Sequence, residues 1–177
     1  HSFPTRRSSD LRVNSLADKE LIEALYRASQ AGVKIDLIVR GVCCLRPGVA
    51  GVSDNISVRS IVGRFLEHPR IYYFENACDP DVFIGSADWL PRNLFRRIET
   101  VIPIVDGIVR ERIISEILAI ALADNTKARL LLPDGSYERA PRLPGEPVRH
   151  SQAEFINLAR NGLATARVRA KAATKYP

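Results

Sequence analysis

Apolar residues recur at three- and four-residue spacing in Leu21, Ile22, Leu25 and Ala28, which predicts an amphipathic helix over 15–32. Gly32 stands where a helix-terminating glycine belongs. The run KIDLIVR at 34–40 is β-branched and too apolar for an edge, so it reads as an interior strand of a sheet covered on its faces. Residues 41–55, dense in Gly and Pro, read as a loop. A second strand is predicted at 56–61 and a short helical turn at 62–67. Two strands at 71–74 and 82–87, joined by ENACDPD, read as a hairpin. A further strand is predicted at 97–105, weakened near its end by Pro103. The clearest helix is 108–123, with Ile113, Ile114, Ile117, Leu118 and Leu122 on its buried stripe. A strand at 127–132, a turn at Asp134 and Gly135, and a helix at 152–160 complete the pattern. Strands alternating with helices predict an α/β domain built on a mixed sheet flanked by helices.

Length and charge narrow this picture. The 177 residues, 46% of them hydrophobic, suffice for one domain with a core. No run reaches the roughly 18 apolar residues of a spanning helix, so the chain reads as soluble. The formal net charge is +6, but residues 12–159 carry nineteen bases and nineteen acids, and the surplus sits at the ends. A neutral body argues against a surface that tracks nucleic acid and still permits a local arginine pocket. The basic tail at 163–177 is expected to be poorly ordered. Cys43, Cys44 and Cys78 make neither an even disulfide set nor a metal-spaced pair, which suits free thiols in the cytosol. The opening HSFPTRRSSDL has neither the apolar core of a signal peptide nor the amphipathic run of a transit peptide. It is the translation of a common sequencing-adapter oligonucleotide, and on that ground residues 1–11 are set outside the fold, leaving a domain over 12–162.

Candidate chemistry starts at His68, in LEHPRIYYF at the entrance to a strand. Residues two apart in an extended segment share a face, so His68 and Arg70 point the same way. A lone histidine in such a place is more often structural than catalytic. The case strengthens with IGSADWLPRN, where Ser86 and Asp88 share a strand face and Arg92 and Asn93 follow, with Arg96, Arg97 and Glu99 beyond. Chemistry at phosphorus needs these residue types: an imidazole as nucleophile or acid, cations to spread the oxygen charge, and a carboxylate to fix the imidazole tautomer. The order resembles a half-site of the phospholipase D-like superfamily, in which a histidine and a basic residue two positions later precede a Gly-Ser-x-Asn segment. Ion pairing with surface acids is the plainer reading for Arg64 and Arg96, less so for Arg40 and Arg46 beside the glycine-rich loop.

Four strings, NSLAD, IEALYRASQAGVKIDLIVRGVCCLRPGV, SVRSIVGRFLEHPRI and IGSADWLPRNL, resemble the polyphosphate kinase family almost residue for residue. The resemblance spans 12–162 and implies a phospholipase D-like domain. It implies an enzyme that reversibly transfers the terminal phosphate of ATP to inorganic polyphosphate through a phosphohistidine, with Mg2+, in a tunnel shared by two such domains. The phosphorylated histidine and the Mg2+ ligands are then expected upstream. No metal ligand is expected here, and the fragment alone is expected to be inactive. The resemblance carries onto this chain His68 as the second active-site histidine, an acid or base that also contacts nucleotide phosphates, and Arg40 as a nucleotide-phosphate ligand. Arg70, Arg92 and Arg97 are assigned further phosphate contacts, and Ser86, Asp88, Asn93 and Glu99 supporting roles. The implied partners are ATP or ADP, polyphosphate, the upstream domains and further copies of the full-length enzyme, with no nucleic acid. The implied location is the cytoplasm, with peripheral contact to the inner face of the membrane. Sixteen arginines against three lysines over 12–159 suit bidentate recognition of phosphate. Two readings stay open beside it: a phospholipase D-like phosphodiesterase, which wants lysine where Arg70 stands, and a non-catalytic nucleotide- or polyphosphate-binding module.

Overall fold

The structure, a computed structural model, describes residues 8–173, the last eleven of these by their backbone alone. Three parallel strands form its centre: β1 (Ser8–Val13), β2 (Lys34–Val39) and β3 (Ile56–Ile61). Beside β1 lie β4 (Arg70–Phe74), β5 (Asp81–Gly85) and β6 (Val101–Pro103), each antiparallel to its neighbour. Beside β3 lie β7 (Ala128–Leu131) and β8 (Tyr137–Arg139), also antiparallel. The sheet thus runs β6-β5-β4-β1-β2-β3-β7-β8.

Alternation along the strands divides the core between two faces. Leu11, Val13, Ile35, Leu37 and Val58 pack on one face with Leu25 of α1 (Lys19–Gln30). Asp18 caps that helix by accepting a hydrogen bond from the Leu21 amide at 3.0 Å. The opposite face buries Ile38, Ile61, Ile71 and Val82 against Leu118 and Ala121. Those last residues belong to a continuous helical run made of α2 (Pro91–Arg96)'s successors in the chain, α3 (Gly107–Arg112), a π-helical turn (Ile113–Leu118) and α4 (Ala119–Leu122). The final helix is α5 (Ser151–Ala173). A mixed sheet flanked by helices is therefore what the hydrophobic pattern encodes, and β2, β3, the β4–β5 pair, α1 and the 107–122 helix lie where periodicity puts them.

Four expectations need correction. Setting residues 1–11 outside the fold fails for Ser8–Leu11, which form the first part of β1 between β4 and β2, with Leu11 only 1% exposed. The strand expected over 97–105 shrinks to β6, with residues 97–100 an irregular connection from α2 and the strand ending at Pro103, which has no N–H to give to a ladder. The turn expected at 62–67 is not helical. The last helix runs well past residue 160 in its backbone, and of the basic tail at 163–177 the side chains and residues 174–177 lie outside the described residues. β8, in the exposed and polar 137–139 segment, gave no apolar alternation to find.

One buried carboxylate joins three of these elements. Asp124, 1% exposed, follows α4 and accepts at Oδ1 from the amides of Thr126, Lys127 and Ala128 at 3.0, 2.7 and 3.2 Å. Its Oδ2 accepts from the amide and hydroxyl of Ser151, at the start of α5, at 2.8 and 2.7 Å. Burial opposes its charge, but the Lys127 and Ser151 amides and the Ser151 hydroxyl hold the carboxyl below its ordinary value. Replacing Asp124 with Ala strands buried donors, and we expect a loss of about 3 kcal/mol in urea unfolding at neutral pH. A depressed folded pKa stabilises above the unfolded value of about 3.9, and that stability disappears as pH falls through the folded value. The gap between wild type and Asp124→Ala should accordingly close in acid.

Candidate active site

Parallel strands bring their carboxyl ends to one edge of a sheet, the edge at which open α/β sheets bind ligands. Val13 pairs with Val39 and Arg12 with Ile71, so the chain leaving β1 at Asn14 emerges between Arg40 and Arg70. Arg70 in turn pairs with Gly85, which brings the segment after β5 to the same place. Backbone bonds then fasten that segment. Trp89 N donates to Ser15 O at 3.0 Å, the amides of Ala17 and Asp18 donate to Trp89 O at 2.8 and 3.0 Å, and the Tyr72 hydroxyl donates to Ala87 O at 2.8 Å.

Asp88 is held in this frame and grips Arg70 with both oxygens, Nε to Oδ1 at 3.1 Å and Nη2 to Oδ2 at 3.0 Å. Both residues are only 8% exposed. Oδ1 also accepts from the amides of Asn14 and Ser15 at 2.8 and 3.4 Å. Burial would raise the Asp88 pKa, but the Arg70 guanidinium and the Asn14 amide bring it below its usual value. The far side of Arg70 meets the exposed imidazole of His68, with Nη2 2.9 Å from Nε2 and Nη1 2.5 Å from Nδ1. A neutral imidazole has a single acceptor nitrogen, so one contact is a hydrogen bond and the other a close approach. The carboxylate expected to fix the imidazole tautomer therefore reaches His68 only through Arg70.

Arg40 joins from β2, donating from Nε to the Asn14 side-chain oxygen at 3.2 Å. Its two Nη groups make no protein hydrogen bond among the described residues. Beyond it the Gly41 amide donates to Asn14 O at 2.7 Å, and a Cβ there would lie 2.9 Å from that oxygen. Glycine is required by this approach. The loop carrying His68 is pinned from below by Gln152, which receives the Phe65 amide at 3.0 Å and donates to Glu67 at 2.7 Å, while Glu67 pairs with the buried Arg12.

A second group lies alongside. The Ser86 hydroxyl donates to Glu99, and Asn93 Nδ2 donates to the other Glu99 oxygen at 2.7 Å. Those two donors, helped by the charges of Arg97 and Arg70, hold the Glu99 carboxyl below its ordinary value. The structure thus unites His68, Arg70, Asp88 and Arg40 in one linked row and Ser86, Asn93 and Glu99 in another. Arg97 reaches the second group as a nearby charge, and Arg92 is exposed on α2 with no described contact to either. Sequence reasoning missed Asn14, Gly41 and the Arg12–Glu67–Gln152 brace. Asn14 was visible in NSLAD, but its neighbours depend on β1, which had been set aside.

Residues 6–152 match the family described as "Polyphosphate kinase C-terminal domain 2". The chain belongs to that family. It is 61% identical over 146 residues to a polyphosphate kinase of Neisseria meningitidis serogroup B, covering 82% of this chain and 21% of the relative. A polyphosphate kinase of Pseudomonas aeruginosa is 51% identical over 156 residues, covering 88% and 22%. The crystal structure of polyphosphate kinase from Porphyromonas gingivalis superposes with a TM-score of 0.84 at 44% identity, over 90% of this chain and 24% of that one. The chain therefore spans about a fifth of the length of its polyphosphate kinase relatives.

Truncating Asp88 would leave the Arg70 guanidinium buried without its counter-charge. We expect Asp88→Ala to lower unfolding stability by about 3–5 kcal/mol at neutral pH, as for other broken buried pairs. Chemical denaturation with His68→Ala as the control should separate this from the much smaller cost of changing an exposed residue.

Proposed function

We propose that this chain forms the nucleotide- and polyphosphate-binding wall of a polyphosphate kinase that reversibly transfers the terminal phosphate of ATP to inorganic polyphosphate. The observation that supports it is the linked row of His68, Arg70, Asp88, Asn14 and Arg40 on one edge of the sheet. Each member takes a distinct part. Arg40, with its Nη fork turned to no protein acceptor among the described residues, binds phosphate oxygens and offsets their mutual repulsion. His68, exposed and linked to Arg40 through Arg70, Asp88 and Asn14, binds a phosphate oxygen and holds or gives a proton at a ring nitrogen. Arg70 has its donors engaged by Asp88 and His68, so it acts by aiming the imidazole instead of as a free phosphate ligand. Arg97, whose charge reaches Glu99, and Arg92, exposed on α2, suit later phosphates of a long polyanion.

Mg2+ would supply further charge neutralisation on the phosphates, but the residues here do not fit a site for it. Asp88 is committed to Arg70, Glu99 is committed to Ser86 and Asn93, and among the described residues no three His, Cys, Asp or Glu side chains are grouped to hold a metal ion. No step on this chain is routed through the metal.

The rest of such an enzyme has a surface to cover. Phe95, Ile98, Val101, Ile102, Val105 and Ile108 are all exposed around the edge strand β6. Several exposed apolar side chains at an unpaired sheet edge suit burial against further protein. Its occupants in the proposal are the other domains of the same enzyme, with self-association belonging to the full-length protein. Among the described residues no helix is long and apolar enough to cross a membrane, and the proposed use of ATP suits a cytoplasmic enzyme.

Calorimetric titration of the chain with ADP and with long-chain polyphosphate tests the binding role. Both should bind, with affinity falling as salt rises. Arg40→Ala should weaken binding by roughly tenfold or more, as expected for losing a charge-assisted hydrogen bond, and His68→Ala should weaken it less. A chain that ignores both ligands contradicts the proposal. In a coupled assay the chain alone should bind without forming polyphosphate, and turnover by it at the rate of a whole relative would show that the site is complete here.

A further inference from the structure

Asn14 directs three of its polar atoms to three different segments. Its amide donates to Asp88 at 2.8 Å, its carbonyl accepts from Gly41 at 2.7 Å, and its side-chain oxygen accepts from Arg40 Nε at 3.2 Å. The residue is 8% exposed and sits where β1 ends, between the two arginines. Two of the three contacts are made by the backbone and survive any side-chain change. The third depends on the carboxamide alone.

We propose that Asn14 is a positioning residue that holds the Arg40 guanidinium in register with His68, so that the two present a preformed cradle for adjacent phosphates. This rests on the phosphate-binding reading of Arg40. Fixing Nε leaves the two Nη groups pointing away together, which is the fork that matches a phosphate edge. Restraining a long, rotamer-rich side chain before the ligand arrives also removes an ordering cost from binding. The acceptor is neutral, and that matters. A carboxylate would hold Arg40 equally well but would cancel much of the charge that the phosphate is meant to meet.

The test uses the chain with inorganic tripolyphosphate and compares wild type, Asn14→Ala, Arg40→Ala, the double variant and Asn14→Asp. Affinity is read by calorimetry and the Arg40 Nε–Hε group by nitrogen-15 NMR without ligand. Asn14→Ala should weaken tripolyphosphate binding roughly five- to tenfold and shift the Arg40 resonance, while leaving that of the Asp88-bound Arg70 in place. In the Arg40→Ala background the same change should cost nothing further, since the two residues act as one unit. Asn14→Asp, which is isosteric and guards against a folding failure of the Ala variant, should keep the Arg40 resonance hydrogen-bonded yet still weaken binding by about tenfold. Unchanged affinity in Asn14→Ala, additive losses in the double variant, or full affinity in Asn14→Asp would each overturn the inference while leaving the phosphate role of Arg40 intact. A wild-type chain whose Arg40 Nε is held but which binds no tripolyphosphate overturns both.

Discussion

The buried fork between Arg70 and Asp88 is the interaction on which the edge of this sheet depends. Two opposite charges withdrawn from water are costly unless each is fully engaged, and here they are: Asp88 also receives two amides from the chain leaving β1, and Arg70 also meets His68. The pair thus fastens β4, the segment after β5 and the end of β1 to one another. Its outward product is an exposed imidazole that rests on a cation held in place from below.

That arrangement follows from strand order. Because β1 sits between an antiparallel neighbour and a parallel one, the start of β4 and the ends of β1 and β2 meet at the same edge. Residues 26, 56 and 74 positions away from Asn14 in sequence become its neighbours or theirs without any long loop having to reach. Arg40 is attached to Asn14 by one hydrogen bond and His68 is reached through Arg70 and Asp88. In the proposed function a polyanion crossing the edge meets both.

Much of this was legible in the sequence, for physical reasons that differ by element. KIDLIVR announces a strand buried on both faces because apolar side chains fill both of its parities, and the stripe through Ile113 to Leu122 announces a helix with one covered side. The polar cluster was legible in part because His68 and Arg70 stand two apart at the entrance to β4, whereas Ser86 and Asp88, expected to share a strand face, lie past the end of β5 and join different groups. Ser8–Val13 was not legible, since four of its six residues lie in the adapter-like opening, and Val13 without Leu11 shows no alternation. NSLAD displays Asn14, but without β1 nothing in it shows which segments Asn14 joins. The Asp88 contact to Arg70 instead of to the imidazole was equally hidden, because periodicity gives the face of a residue and not the partner it chooses there.

Proposed phosphate binding at the β1–β2–β4 edge stands or falls on a crystal structure of the chain with bound tripolyphosphate. Phosphate oxygens should lie within hydrogen-bond distance of the Arg40 Nη groups and a His68 ring nitrogen. Tripolyphosphate seated elsewhere, for example in the cleft of about 400 Å3 lined by Arg59, Asn125 and Arg149, with the His68 edge left unchanged, would contradict it.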